Sequence, residues 1–141
     1  MTEPAVLLQA AATLPLVGLI WTIQLVHYPL FDGVAPDRFV AYERRHTKRI
    51  TIVVAPLMLA EVAASAWLLF DVPAGVPAWW CGAGAAMTLG LWLSTYFLQV
   101  PLHGRLGERF DAADHRRLVR TNWLRTVLWT LRGGLALVML A

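Results

Sequence analysis

The chain of 141 residues has little cysteine and little charge, and each shortage excludes a class of protein. Cys81 is the only cysteine, so one chain can form neither an internal disulfide nor a cysteine-based metal cluster. Charged residues make up 15% of the sequence, whereas soluble domains carry about 25%. Hydrophobic residues make up 58%. This composition favours an integral membrane protein over a very apolar soluble helical bundle.

The charges that are present are clustered. All twelve Lys and Arg residues lie in two windows, Arg38–Arg49 and Arg105–Arg132. Membrane proteins collect basic residues in their cytoplasmic connections. Because no aromatic–basic motif accompanies the windows, they indicate membrane orientation and not nucleic-acid binding. We expect the basic end in the cytoplasm and both termini outside, in a bacterial cytoplasmic (inner) membrane.

Long apolar segments predict spanning helices, because about 20 apolar residues cross the hydrocarbon core. Short turns rich in Pro, Gly and Asp separate these segments. The predicted fold is an all-α integral membrane antiparallel four-helix bundle, a single domain over residues 1–141. The predicted helices cover about residues 5–28, 38–70, 78–103 and 113–140.

Two charges, Glu61 and Arg132, interrupt the apolar segments. Each follows a basic residue of its own segment, Arg49 or Arg120, by about 18 Å of helix, so the two should lie at similar depth. An ionised group there costs at least about 2.5–3.5 kcal/mol unless it is paired or hydrated. We therefore predict an intramembrane ion pair. The pair is either a structural clamp or part of a functional site, in which Glu61 is a proton acceptor or the floor of a cavity.

Polar residues recur at helical spacing near the basic end. In the predicted helix over residues 113–140, Asn122 and Arg125 share one helical stripe with Trp129 and Arg132. Since lipid does not tolerate such groups, they should face the bundle interior. The set comprises Gln24, His27, Tyr42, Glu43, His46, Thr95, Gln99, His103, Asn122 and Arg125.

Three histidines, His27, His46 and His103, fall at the basic ends of three different segments. Imidazoles from separate helices, with Glu43 as a fourth ligand or proton acceptor, would suit a transition metal or haem. Interface histidines without a ligand role are the alternative. His115 lies in a basic stretch and is expected to be solvated.

The remaining polar residues of this end suit a substrate. Asn122 and Arg125 would orient it, since a guanidinium can hold a carboxylate through two hydrogen bonds. The surrounding Arg and Lys residues either contact anionic lipid or attract an anionic molecule. The expected substrate is small and hydrophobic or anionic.

A weak repeat links the two halves. Residues 37–41 resemble residues 108–112, and both stretches follow a segment that bears Gln and then His. A duplicated helix hairpin with a pseudo-two-fold axis along the membrane normal would produce this pattern. Shared interface composition is the alternative.

The stretch YERRHTKRI, with HYPLF before it and QVPLH and TNWLRT after it, resembles small bacterial four-helix membrane proteins. It is distantly similar to the small membrane protoporphyrinogen oxidases, with His27 and Glu43-Arg44-Arg45 at the matching positions. The pattern of Asn122, Trp129 and Arg132 resembles anthrone-oxygenase-like membrane proteins. Both resemblances imply a small-molecule redox role near the membrane surface.

Three functions remain open on this sequence. The first is a cofactor- or metal-dependent membrane oxidoreductase that uses the polar residues of the basic end. The second is a non-enzymatic accessory or assembly subunit of a larger membrane complex. The third is a transporter of protons or small anions, which would need homo-oligomers because four helices are few for a pore.

Overall fold

A computed structural model describes residues 4–141, within which four long helical spans form a bundle. Each span is long and apolar enough to cross a membrane. The predicted all-α four-helix fold is confirmed. The first and third spans end later than predicted, because a short 3-10 helix follows the first and a further α-helical turn extends the third. The four spans cover Pro4–Gly33, Pro36–Phe70, Ala78–Leu106 and Ala112–Leu140.

Local sequence sets the ends of these spans. The carboxylate of Asp111 caps the fourth span by accepting hydrogen bonds from the backbone N–H groups of Ala113 (2.8 Å) and Asp114 (2.9 Å). Pro36 opens the second span, where a backbone N–H is not needed. Gly75, in the next turn, has a φ of +83°, which glycine adopts without strain. Short connections of this kind make consecutive spans antiparallel neighbours.

The first and third spans each widen into a π-turn directly before a proline. In the first span the Tyr28 N–H donates to the Ile23 carbonyl (2.9 Å), five residues back, and Pro29 follows. The third span repeats this arrangement, with Val100 donating five residues back and Pro101 following. A proline ring clashes with the carbonyl four residues before it, and a wider turn relieves the clash. The repetition agrees with a duplicated hairpin, which stays a prediction.

The two basic windows meet at the same end of the bundle, as predicted. The Arg44 guanidinium donates to the Gly107 carbonyl (2.8 Å), and Arg105 pairs with Asp114 through two hydrogen bonds of 2.9 Å. At the opposite end Cys81 is buried in an apolar cluster, where it packs as a small apolar residue. The polar interior described below lies between these two ends.

Candidate functional site

Glu61 and Arg132 form the predicted ion pair, with Nε of Arg132 3.0 Å from Oε1 of Glu61. Both side chains are buried. The indole Nε1 of Trp129 donates to the other carboxylate oxygen (3.1 Å), and the guanidinium also donates to Gln9 and Ser65. We call this set the ion-pair cluster, comprising Gln9, Thr13, Glu61, Ser65, Trp129 and Arg132. Its dense pairing supports the structural interpretation of the ion pair.

A glycine makes room for this cluster. A Cβ at Gly84 would lie 2.6 Å from Nη1 of Arg132, whose guanidinium is held by hydrogen bonds and cannot move freely. The Gly84→Ala variant is expected to lose about 1–3 kcal/mol of unfolding free energy through overpacking. Gly82→Ala is the control, because a Cβ there meets no atom within 4 Å. The control should be neutral or slightly stabilised, since alanine is the better helix former. Equal unfolding free energies for the two variants, measured in micelles, would show that the close approach of Arg132 to Gly84 does not matter for stability.

His103 connects a buried carboxylate to a phenol at the basic end. Its Nδ1 is hydrogen-bonded to Oε1 of Glu43, and its Nε2 lies 2.8 Å from the Tyr28 hydroxyl. Glu43 is fully buried. Because an ionised carboxylate only accepts hydrogen bonds, Nδ1 carries the imidazole proton and Nε2 accepts from Tyr28. The result is a chain of hydrogen bonds from Glu43 through His103 to Tyr28.

The other two predicted histidines lie beside this chain. Nε2 of His27 is 2.9 Å from Nδ1 of His46, and the His46 and His103 ring centroids are 5.6 Å apart. The three imidazoles therefore converge, as predicted. Nε2 of His46 and Oε2 of Glu43 are buried without a hydrogen-bond partner among the described residues.

The convergence does not form an evident metal site. Within residues 4–141, no group of three or more His, Cys, Asp or Glu side chains is arranged to hold a metal ion. Both nitrogens of His103 are hydrogen-bonded, and His27 and His46 bond to each other. The predicted set of His27, His46, His103 and Glu43 as metal or haem ligands stays a prediction.

The expectation that His115 is solvated was wrong. This side chain is buried, and its Nε2 bonds to the Tyr28 carbonyl oxygen (2.7 Å). It also stacks on Phe31. His115 lies seven residues before Asn122 and continues the polar stripe of the fourth span. This spacing could have identified His115 as an interior residue. It holds in place the backbone that carries the Tyr28 phenol.

The buried Arg125 is joined to neutral groups only. Its Nη1 donates to Asn122 (3.2 Å), which in turn donates to Gln24 (2.9 Å). Its guanidinium carbon lies 4.8 Å from the centroid of the Trp129 ring. Nε of Arg125 has no hydrogen-bond partner, and the ion pairs of the described residues do not include it.

A cavity of about 510 Å³ opens between the second and third spans near the basic end. Ile50 and Val54 are among its apolar lining residues. Its polar lining residues are Tyr28, Arg44, Thr47, Thr51, Thr95, Gln99, His103, Glu108 and Arg125. This volume suits a small-molecule ligand.

Only His103 and Arg125 of the predicted site residues line this cavity. The others are His27, Glu43, His46, Glu61, Asn122 and Arg132, which are not among its lining residues. The expectation that Glu61 and Arg132 form the floor was therefore wrong, because their hydrogen bonds place them in the separate ion-pair cluster. Sequence reasoning missed Tyr28, whose only signal was its position between His27 and Pro29.

Comparison of the chain with models of protein families, with curated proteins and with solved structures gives no match.

Proposed function

We propose that this protein is a small integral membrane enzyme that binds a small hydrophobic or anionic molecule in the cavity and transfers a proton at the Tyr28 phenol. The observation that carries the proposal is the hydrogen-bonded chain from Glu43 through His103 to the cavity wall. A reactive hydroxyl, a base and a group that orients the base form the arrangement used in general acid–base catalysis.

Each member of the chain has a distinct role in this reaction. The Tyr28 oxygen accepts a proton from the substrate while the Tyr28 hydroxyl proton moves to Nε2 of His103. The buried Glu43 carboxylate stabilises the imidazolium that forms. Arg125 lies in the same cavity wall, where its charge binds and orients a negative group of the substrate.

The reaction class that we propose is a proton-coupled oxidation or reduction, in which a haem or a transition metal would accept or supply the electrons. It is supported by the resemblance of the chain to two groups of membrane proteins with small-molecule redox roles. The buried atoms left to hold this cofactor are Nε2 of His46 and Oε2 of Glu43, because both nitrogens of His103 are used in the hydrogen-bonded chain. Metal analysis and the absorption spectrum of the purified protein test this part of the proposal.

The Tyr28→Phe variant is expected to lose at least about 10²-fold in turnover, because it removes the proton-transferring oxygen. Purified protein in nanodiscs is incubated with a hydrophobic extract of the host cells, and mass spectrometry identifies the species consumed. Gain or loss of hydrogen or oxygen by that species identifies a redox reaction. Tyr96→Phe is the matched control, since Tyr96 is exposed and does not line the cavity.

Two results would contradict the proposal. One is equal turnover by Tyr28→Phe and Tyr96→Phe. The other is the absence of any consumed species together with co-purification of a larger partner. The second result would favour the accessory-subunit hypothesis.

A further inference from the structure

A second groove, with a volume of about 430 Å³, lies between the same two spans as the cavity. Its lining is apolar except for three polar groups. Ser65 and Thr88 are buried and hydrogen-bonded, and the indole Nε1 of Trp92 is buried without a hydrogen-bond partner among the described residues. We call it the seam groove and define it by Leu59, Val62, Ala66, Leu69, Ala85 and Leu89.

The cavity and the seam groove are in line along the two helices. On the second span, the cavity lining ends at Val54 and the groove begins at Leu59, about 7.5 Å further on. On the third span, the groove lining ends at Trp92 and the cavity lining begins at Thr95, about 4.5 Å further on. One molecule could therefore occupy both, with a polar end in the cavity and an apolar end in the groove.

Arg125 indicates the chemistry of the polar end. The side chain is only 6% exposed, lines the cavity and has an Nε without a hydrogen-bond partner within residues 4–141. A buried cation is costly unless an anion or several hydrogen bonds compensate it. A carboxylate or phosphate can accept two parallel hydrogen bonds from a guanidinium. Oε1 of the buried Gln99, also in this wall, has no partner in the described part of the chain either, and it can accept a hydrogen bond from the ligand.

The combined length of the cavity and the seam groove indicates how long the apolar end of the ligand is. Arg125 lies seven residues before Arg132, at the level of Val54 on the second span, and from Val54 to Leu69 that span rises by about 22 Å. This is about three quarters of the thickness of the hydrocarbon core, which is about 30 Å. Only a long acyl or isoprenoid chain would extend over this distance.

We infer that the substrate is a long-chain amphiphile whose oxyanion head group binds Arg125 and whose tail lies in the seam groove. This inference rests on the proposed function and specifies its substrate class. The molecule would enter sideways from the bilayer, because the cavity and the groove both open between the second and third spans. Since lipid tails are as apolar as the groove, the tail contributes packing and adds little hydrophobic driving force.

Photocrosslinking in nanodiscs tests the inference. The probe is hexadecanoate with a diazirine near the end of its chain, and peptide mass spectrometry maps the labelled residues. Label is expected on residues 59–69 and 85–92. Unlabelled hexadecanoate and hexadecyl phosphate, added separately as competitors, show whether the head group is a carboxylate or a phosphate.

Variants of the groove and of the cavity make the test specific. Ala85→Phe fills the groove and should reduce labelling at least about tenfold, because the tail can then bind only by overpacking the site. Ala86→Phe is the control, because Ala86 is exposed on the same helix and does not line the groove. Arg125→Gln should reduce labelling by a similar factor, whereas Arg125→Lys, which keeps the charge, should retain more of it.

Labelling that is insensitive to Ala85→Phe, or equal for wild type and Arg125→Gln, would overturn the inference. This failure is distinguishable from failure of the proposed function. If turnover still depends on Tyr28, the enzyme stands and its substrate lacks a long tail. If labelling behaves as expected but Tyr28→Phe changes no turnover, the site binds an amphiphile without proton transfer, and the proposed function falls.

Discussion

Replacing Arg132 with methionine is expected to lower the free energy of unfolding by about 3–5 kcal/mol. The substitution leaves the fully buried Glu61 carboxylate without its cation. It also removes the hydrogen bonds that the guanidinium donates to Gln9 and Ser65. Removal of one partner of a buried ion pair is more damaging than the net stabilisation by the pair suggests, because the remaining charge stays buried. Denaturant titration of the protein in micelles measures the change.

Arg120→Met provides the matched control on the same helix. Arg120 is exposed, so this variant should change the unfolding free energy by no more than about 0.5 kcal/mol. The double variant Glu61→Leu/Arg132→Leu should lose less than the sum of its two single variants, because the residues are in contact. Equal stabilities of Arg132→Met and Arg120→Met would show that the ion pair does not stabilise the fold.

The four-helix fold was predictable because a bilayer restricts where charge can lie. Long uncharged segments must cross the hydrocarbon, and basic residues gather in the connections. The Glu61–Arg132 pair was also predictable, because the second and fourth spans are continuous α-helices. A constant rise of 1.5 Å per residue therefore gives the correct relative depth of the two charges.

The details of the site were less predictable because the other two spans are not regular. A π-turn adds a residue to one helical turn and rotates every side chain that follows. Tyr28 and His103 both follow such turns, so α-helical periodicity does not give the direction of their side chains. The sequence predicted that the histidines lie at one end of the bundle, but it did not predict that His103 is hydrogen-bonded to Glu43 and Tyr28. The cavity depends on the separation of two helices, which no local pattern encodes.

The Glu43→Gln variant is expected to lose about 10³–10⁴-fold in turnover. Its side-chain amide can donate a hydrogen bond to Nδ1 of His103, which favours the tautomer with the proton on Nε2. That nitrogen can then no longer accept the Tyr28 proton. Because Glu43 does not line the cavity, kcat should fall with little change in KM. Steady-state kinetics on the species consumed by the wild type measures both quantities.

Asp37→Asn makes the same change from carboxylate to amide at an exposed position of the second span, and it should retain full activity. The double variant Glu43→Gln/Tyr28→Phe decides whether the two residues act as one unit. If they do, the double variant should be no slower than the slower single variant, because either substitution alone already abolishes proton transfer through the hydrogen-bonded chain. If the two losses in kcat multiply instead, Glu43 and Tyr28 act independently. Proton transfer through His103 would then not be the role of the Glu43 carboxylate.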